Sequence, residues 1–371
     1  ALRGRLRNRS QSMVYSVSDA QGERTMRRRF GFVILAMMLV LAACTGEAGE
    51  PGAAGPAGPA GPAGPAGPAG ADGSAGAAAD LNAADLSCTE CHNDTSIITG
   101  KKVAWESSVH GSGTAAAYAG GRGSCAGCHS GAVFSAMVAA GLNPTEVEEG
   151  DANPTHQDCR TCHQVHTSFT GADWALETEA PVDLYAFEGV TFDGGKGNLC
   201  GVCHQPRRMI AEADADGNIE VTSTHWGPHH GPQTAMLLGV GGAGDVSGSA
   251  SAHYNLVGDT CVSCHVGEAA SHTFAPVEAS CAECHGEDFD YSETKAEIEA
   301  LLAELGGLLE GKGLWAEEDG EGHPVVGIYP AAEAQALWNY NFIVPEDHSF
   351  GVHNPSYTRA LIEWSIAALG G

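Results

Sequence analysis

Cys200-Gly201-Val202-Cys203-His204 is the stretch that decides how this chain is read. The same pattern, two cysteines three residues apart with a histidine next, recurs at Cys88-Cys91-His92, Cys125-Cys128-His129, Cys159-Cys162-His163, Cys261-Cys264-His265 and Cys281-Cys284-His285. The six motifs use twelve of the 13 cysteines and leave only Cys44. The spacing suits c-type haem: two thiols three residues apart can each form a thioether with one haem vinyl group, and the adjacent imidazole reaches the iron from the same face. A lone CxxC also suits a zinc knuckle or a redox dithiol, but a zinc site pairs one CxxC with another and needs no histidine after each. Here every CxxC carries the histidine. The expected cofactors are six covalently bound haem c groups, with thioethers at the twelve cysteines. His92, His129, His163, His204, His265 and His285 are the expected proximal iron ligands.

The opposite face of each iron needs a second ligand. Eleven of the 17 histidines remain, whereas only Met137, Met209 and Met236 follow Cys44, so methionine cannot serve six irons. Bis-histidine ligation is expected, which gives low-spin iron and a lower potential than Met/His ligation. The distal candidates are His110, His156, His166, His229, His230, His253, His272 and His353. His166, three residues after His163, cannot fold back to its own iron and is expected to serve a neighbouring haem. His353 lies in Gly351-Val352-His353-Asn354-Pro355, where Asn354 can cap a helix that has proline at its first position. His110 follows Trp105 and precedes a glycine-rich turn, His253 and His272 flank the motif at 261–265, and His156 stands three before Cys159. Of the adjacent His229 and His230, one is expected to ligate. His225, His323 and His348 are expected to be structural.

The chain has 371 residues and a formal charge of −28, which excludes a basic nucleic-acid binder. Residues 1–25 read as an upstream or mis-assigned segment. Residues 26–43 read as a signal peptide: Arg27, Arg28 and Arg29 precede an apolar run at 30–41 that is too short to span a bilayer stably. It ends Leu41-Ala42-Ala43-Cys44, which resembles the lipobox of bacterial lipoproteins, with Cys44 as the lipidated residue. Eight of 18 basic and two of 46 acidic residues precede Cys44, leaving 10 against 44, a balance of −34. Such a surface repels anions, most strongly at low ionic strength.

Residues 44–78 form a lipidated N-terminus and a collagen-like linker, with glycine at every third position from Gly46 to Gly76 and proline at 56, 59, 62, 65 and 68. Such triplets suit either a polyproline-II stalk or three chains wound together as a homotrimer. As a single strand at about 3.1 Å per residue, the repeat would reach on the order of 95 Å. Both arrangements hold the next segment away from a lipid anchor.

Residues 79–371 are the expected hexahaem cytochrome domain. The fold class is mainly α with much irregular structure, organised around six haems whose porphyrins form much of the apolar core. Ile298, Leu301, Leu302, Leu305 and Leu308 recur at helical spacing and predict a helix over 294–309, with further helices at 331–341 and 355–369. Short strands are expected at 182–187 and 219–222. Residues 214–218 read as a turn, since an EF-hand register would put Ser223 where a bidentate glutamate is needed.

The six motifs, CGVCHQPR at 200–207, GPHHGPQ at 227–233, Trp338-Asn339-Tyr340 and GVHNP at 351–355 resemble the multihaem c-type cytochromes of bacteria that respire extracellular metals. The resemblance implies electron transfer along closely packed haems, at the outer membrane or cell surface. Its implied partners are other redox proteins or extracellular electron acceptors, with the membrane reached through the lipid anchor. Two alternatives stand beside it. One is a multihaem reductase of nitrite, hydroxylamine or a sulfur oxyanion, which keeps one iron open; the other is a subunit of a polymerising cytochrome filament. The absence of a deviant motif such as CxxCK and the eleven spare histidines favour an electron carrier over a substrate-converting enzyme. If Cys44 carries the lipid, Cys44→Ala is expected to move the protein from the membrane fraction to the soluble fraction with its haem content unchanged, as read by fractionation and haem staining.

Overall fold

Two cysteines at i and i+3 share one face of a helical turn, so each CxxCH motif needs little more than one turn of helix. The computed structural model describes residues 96–229, 231–267, 271–318 and 320–371. The signal peptide, Cys44, the collagen-like linker, the motif Cys88-Cys91-His92 and His230 lie outside the described residues. The described residues fall within one unit, Ala77–Gly371.

Its first part is a succession of short helices: α1 (Ser96–Glu106), α2 (Val109–Ser112), α3 (Ala115–Ala119), α4 (Gly123–His129), α5 (Gly131–Ala139), α6 (Cys159–Cys162) and α7 (Asn198–Gly201). Four more follow: α8 (Gln233–Leu238), α9 (Ala252–Leu256), α10 (Cys261–His265) and α11 (Ala279–His285). The five described motifs lie on or at the ends of α4, α6, α7, α10 and α11. α6 shows how so short a helix is started: the Asp158 carboxylate accepts from the backbone N–H of Arg160 at 2.9 Å and of Thr161 at 3.3 Å, satisfying two otherwise orphaned donors.

The last part is a bundle of α12 (Ser292–Gly311), α13 (Ala331–Asn341) and α14 (Pro355–Leu369), close to the expected spans. Ile298, Leu302, Leu305 and Leu309 of α12 are buried with Leu337 and Trp338 of α13 and Leu361 and Ile362 of α14. Asn354 caps α14 as expected, its side chain accepting from the Tyr357 N–H at 3.3 Å. Buried amides tie this bundle to the glycine-rich segment 226–250. Asn354 Nδ2 donates to the carbonyls of Met236 (3.1 Å) and Ser249 (2.9 Å). The Asn339 side chain both accepts from Ala243 N (2.7 Å) and donates to Ala243 O (3.1 Å), and Trp338 Nε1 donates to Gly241 O (2.8 Å). Gly244 permits the close approach, since its φ is +85° and a Cβ there would stand 2.4 Å from the Trp364 ring.

Three two-stranded antiparallel ribbons complete the unit: β1 (Val182–Asp183) with β2 (Thr191–Phe192), β3 (Asn218–Val221) with β6 (Gly327–Pro330), and β4 (Trp315–Glu318) with β5 (Glu321–Pro324). The strand expected at 219–222 is β3. The strand expected at 182–187 stops at Asp183, because the chain turns there: Leu184 N donates to Val190 O and Phe187 N to Leu184 O, both at 2.9 Å. The expected turn at 214–218 is present, with Asp214 Oδ1 accepting from the N–H groups of Asp216 and Asn218.

The C-terminal bundle and the segments packed on it bury a continuous cluster of side chains from Leu184 to Leu369. A second, smaller cluster lies around Phe134, Met137 and Leu199 in the motif-bearing first part. A stable bundle must bury its leucine face against something, and here the three helices bury it against one another. Asn354→Ala is expected to lower stability by about 1–3 kcal/mol, from the lost cap and two stranded carbonyls. Denaturant titration of the haem-loaded protein followed by circular dichroism measures it.

Candidate functional site

Four described motif histidines are each faced by a second imidazole. Ring centroids lie 6.1 Å apart for His204 and His110, 6.4 Å for His163 and His272, 6.1 Å for His285 and His253, and 6.3 Å for His265 and His353. Metal–imidazole bonds of about 2 Å on opposite sides of one metal, with each ring centre about 1.1 Å behind its nitrogen, put two centroids about 6.2 Å apart. At that separation both imidazoles of a pair could hold one haem iron. In a fifth place, His129 and His229 line one cavity together with Cys125, Cys128, Tyr185 and Arg207, and Arg207 Nη1 lies 3.5 Å from His229 Nε2. Among the described residues no three or more of His, Cys, Asp and Glu converge as a metal cage. Two histidines per site suit an iron that takes its remaining four ligands from a porphyrin.

The outer nitrogens of five of these eight imidazoles are held. Nδ1 of His163 donates to Trp174 O and that of His265 to Phe274 O, both at 2.8 Å; His253 Nδ1 donates to Val352 O at 2.6 Å. His204 Nδ1 donates to Gln233 Oε1 at 3.1 Å, and His353 Nδ1 to Asp347 Oδ1 at 2.7 Å. An Nδ1–H bonded this way fixes the tautomer and leaves Nε2 as the free electron-pair donor, as a metal requires. His272 Nδ1 is buried without a partner, an orphan of the kind that a bound group changes.

Burial sets the charge state. It pushes His110 down to about 4, with the neighbouring His204 adding to the effect. Burial is also the main cause of the lowered values of His204, His265 and His272. An imidazole kept neutral is the form that ligates a metal. His353 goes the other way: burial lowers it, but the Asp347 carboxylate beside it outweighs burial and raises it overall.

The motifs also touch one another. Cys203 lies beside Cys128, and Cys200 beside Cys261; Cys264 lies within the field of Cys281 and Cys284. Burial pushes the Cys162 thiol up to about 12. None of the ten described cysteines is in a disulfide, so each keeps its sulfur for another bond. Phe274 sits at the meeting point of three pairs. Its ring packs edge-on to His110 (4.7 Å between centroids) and against His272 (5.9 Å), and its carbonyl receives His265.

The structure thus brings His110, His253, His272 and His353 to motif histidines, and His229 to the cavity of His129. His166 stacks on Phe169, and its N–H donates to Asp173 Oδ2 at 2.9 Å. His156 is half-buried and, among the described residues, faces no motif imidazole. His225, His323 and His348 likewise face none. Sequence reasoning missed Asp347, Gln233 and Phe274, for which no spacing signal exists, because each reaches its histidine through tertiary packing.

Residues 75–164, which contain the first three motifs, match the family of cytochrome c7 and related cytochrome c. That match supports a multihaem c-type cytochrome with covalently bound haem c and electron transfer as its role. No curated protein matches the chain. Among solved structures, the outer cell wall cytochrome OcwA is similar, with a TM-score of 0.47 and 22% identity over 72% of this chain and 49% of that one. The chain spans about half the length of that structure. His272→Ala is expected to remove one face of one site; haem content measured by mass should be unchanged, while electron paramagnetic resonance gains one high-spin ferric signal.

Proposed function

We propose that this chain is an electron carrier holding six haem c groups, one on each CxxCH motif, at the outer membrane or cell surface in respiratory or extracellular electron transfer. The observation that carries the reading is the set of four facing imidazole pairs at 6.1–6.4 Å. A haem iron held by two imidazoles supplies one-electron exchange between its ferric and ferrous states. The protein's part is to hold and orient. Paired cysteines fix each group, the facing histidines leave no open position for a substrate, and the carbonyls of Trp174, Phe274 and Val352 keep the rings from turning.

In this reading the pairs are His204 with His110, His163 with His272, His285 with His253, and His265 with His353. His129 takes His229 or His230, and His92 takes its partner from the remaining candidates, His166 first. Lipidation at Cys44 and the linker at 44–78 hold the haem-bearing part away from the membrane. Among the described residues no helix is long and apolar enough to cross a membrane. The balance of −34 after Cys44 suits cationic or protein partners and slows reaction with anionic acceptors at low salt.

The test is mass spectrometry and electron paramagnetic resonance of protein matured by a competent host, followed by stopped-flow oxidation. The expected result is six haems, no titratable thiol after Cys44, low-spin iron throughout and rapid, weakly selective reduction of ferric chelates. A stoichiometric high-spin haem in the wild type, together with turnover of nitrite, hydroxylamine or a sulfur oxyanion, would overturn the reading in favour of a reductase.

A further inference from the structure

The outer partner of one histidine differs in kind from the others. His163, His265 and His253 donate Nδ1–H to neutral backbone carbonyls, and His204 to the neutral amide of Gln233. His353 alone among these donates to a carboxylate, Asp347 Oδ1 at 2.7 Å. The Asp347 side chain is fully buried, and its other oxygen, Oδ2, accepts from both N and Oγ of Ser349. Ser349 Oγ in turn accepts from the His353 N–H at 3.3 Å, so the carboxylate, the serine and the histidine form a closed ring of bonds.

The backbone is built to deliver this carboxylate. The helix that ends at Asn341 widens into a π-turn at Phe342–Asp347, which contains Pro345 and stops at His348 with φ of +57°. Proline has no N–H to offer an α-helical bond, and the wider turn accommodates it. Gln233 Nε2, whose Oε1 receives His204, donates to the Glu346 carbonyl at 2.9 Å and so ties the same turn to a second imidazole pair.

A carboxylate that draws on the Nδ1 proton makes Nε2 a stronger electron donor, and a buried negative charge near a metal favours its more positive oxidation state. We propose that Asp347 is a positioning residue which, acting through His353, lowers the potential of the haem between His265 and His353 relative to those at the described pairs whose outer partners are neutral. The proposal rests on the bis-histidine reading given under Proposed function. The Cys261-Cys264-His265 motif has both Cys200 and the pair Cys281 and Cys284 as neighbours. A low-potential centre there is an uphill step between the Cys200–His204 and Cys281–His285 centres, so it governs passage between them.

The test uses the full, haem-loaded protein. Wild type and Asp347→Asn are compared by haem mass, by electron paramagnetic resonance and by spectroelectrochemical titration. The expected result is six low-spin haems in both, with one midpoint potential raised in the variant and the others unmoved. Six low-spin haems with unchanged potentials in Asp347→Asn would overturn the role of Asp347 while leaving the electron-carrier reading intact. A wild type with fewer than six haems or with a high-spin iron would instead overturn the electron-carrier reading. Should Asp347→Asn mature poorly, Gln233→Glu puts a carboxylate beside His204 Nδ1. A lowered potential for one haem then supports the mechanism, and unaltered potentials overturn it.

Discussion

Two imidazoles facing each other about 6 Å apart are the arrangement on which the rest of this molecule depends. Each pair joins segments distant in sequence: α2 to the end of α7, the end of α6 to the loop before α11, α9 to α11, and α10 to the loop before α14. Closing such long loops costs chain entropy, and the motif-bearing helices are too short to offset it by themselves. Their side-chain cluster is small, and several end at the motif histidine or immediately before it. On the proposed bis-histidine reading, a bond shared by two histidines through one metal would close these loops and would couple cofactor attachment to folding in this part of the chain.

The C-terminal bundle is organised on a different principle. α12, α13 and α14 bury leucine, isoleucine and tryptophan faces against one another and so have a core of their own. The two parts meet through polar clamps, namely Asn339, Asn354 and Trp338 on the backbone of 236–249. The π-turn after α13 extends this link, since it carries both Asp347, bonded to His353, and the carbonyl that holds Gln233. The bundle is therefore a rigid wall from which groups are aimed at two imidazole pairs. A group that tunes a metal must be held as firmly as the ligand it touches, and a packed helix supplies that firmness better than a loop.

The six motifs, and the expectation of a proximal histidine in each, can be read from spacing alone, because the i, i+3, i+4 geometry is local. The long helices were legible for the same reason: the 3.6-residue repeat of Ile298, Leu302, Leu305 and Leu309 is written in the sequence, as is the cap and proline that start α14. Which distal histidine faces which motif was not. His272 and His253 stand close to the motif at 261–265, yet His272 faces His163 and His253 faces His285. Nor was the carboxylate behind His353, which reaches it through a π-turn, nor the early end of the strand at Asp183. Local geometry follows from neighbouring residues and can be read from their order. The pairing of imidazoles and the delivery of Asp347 depend on how separate helices pack, and only the tertiary structure decides that.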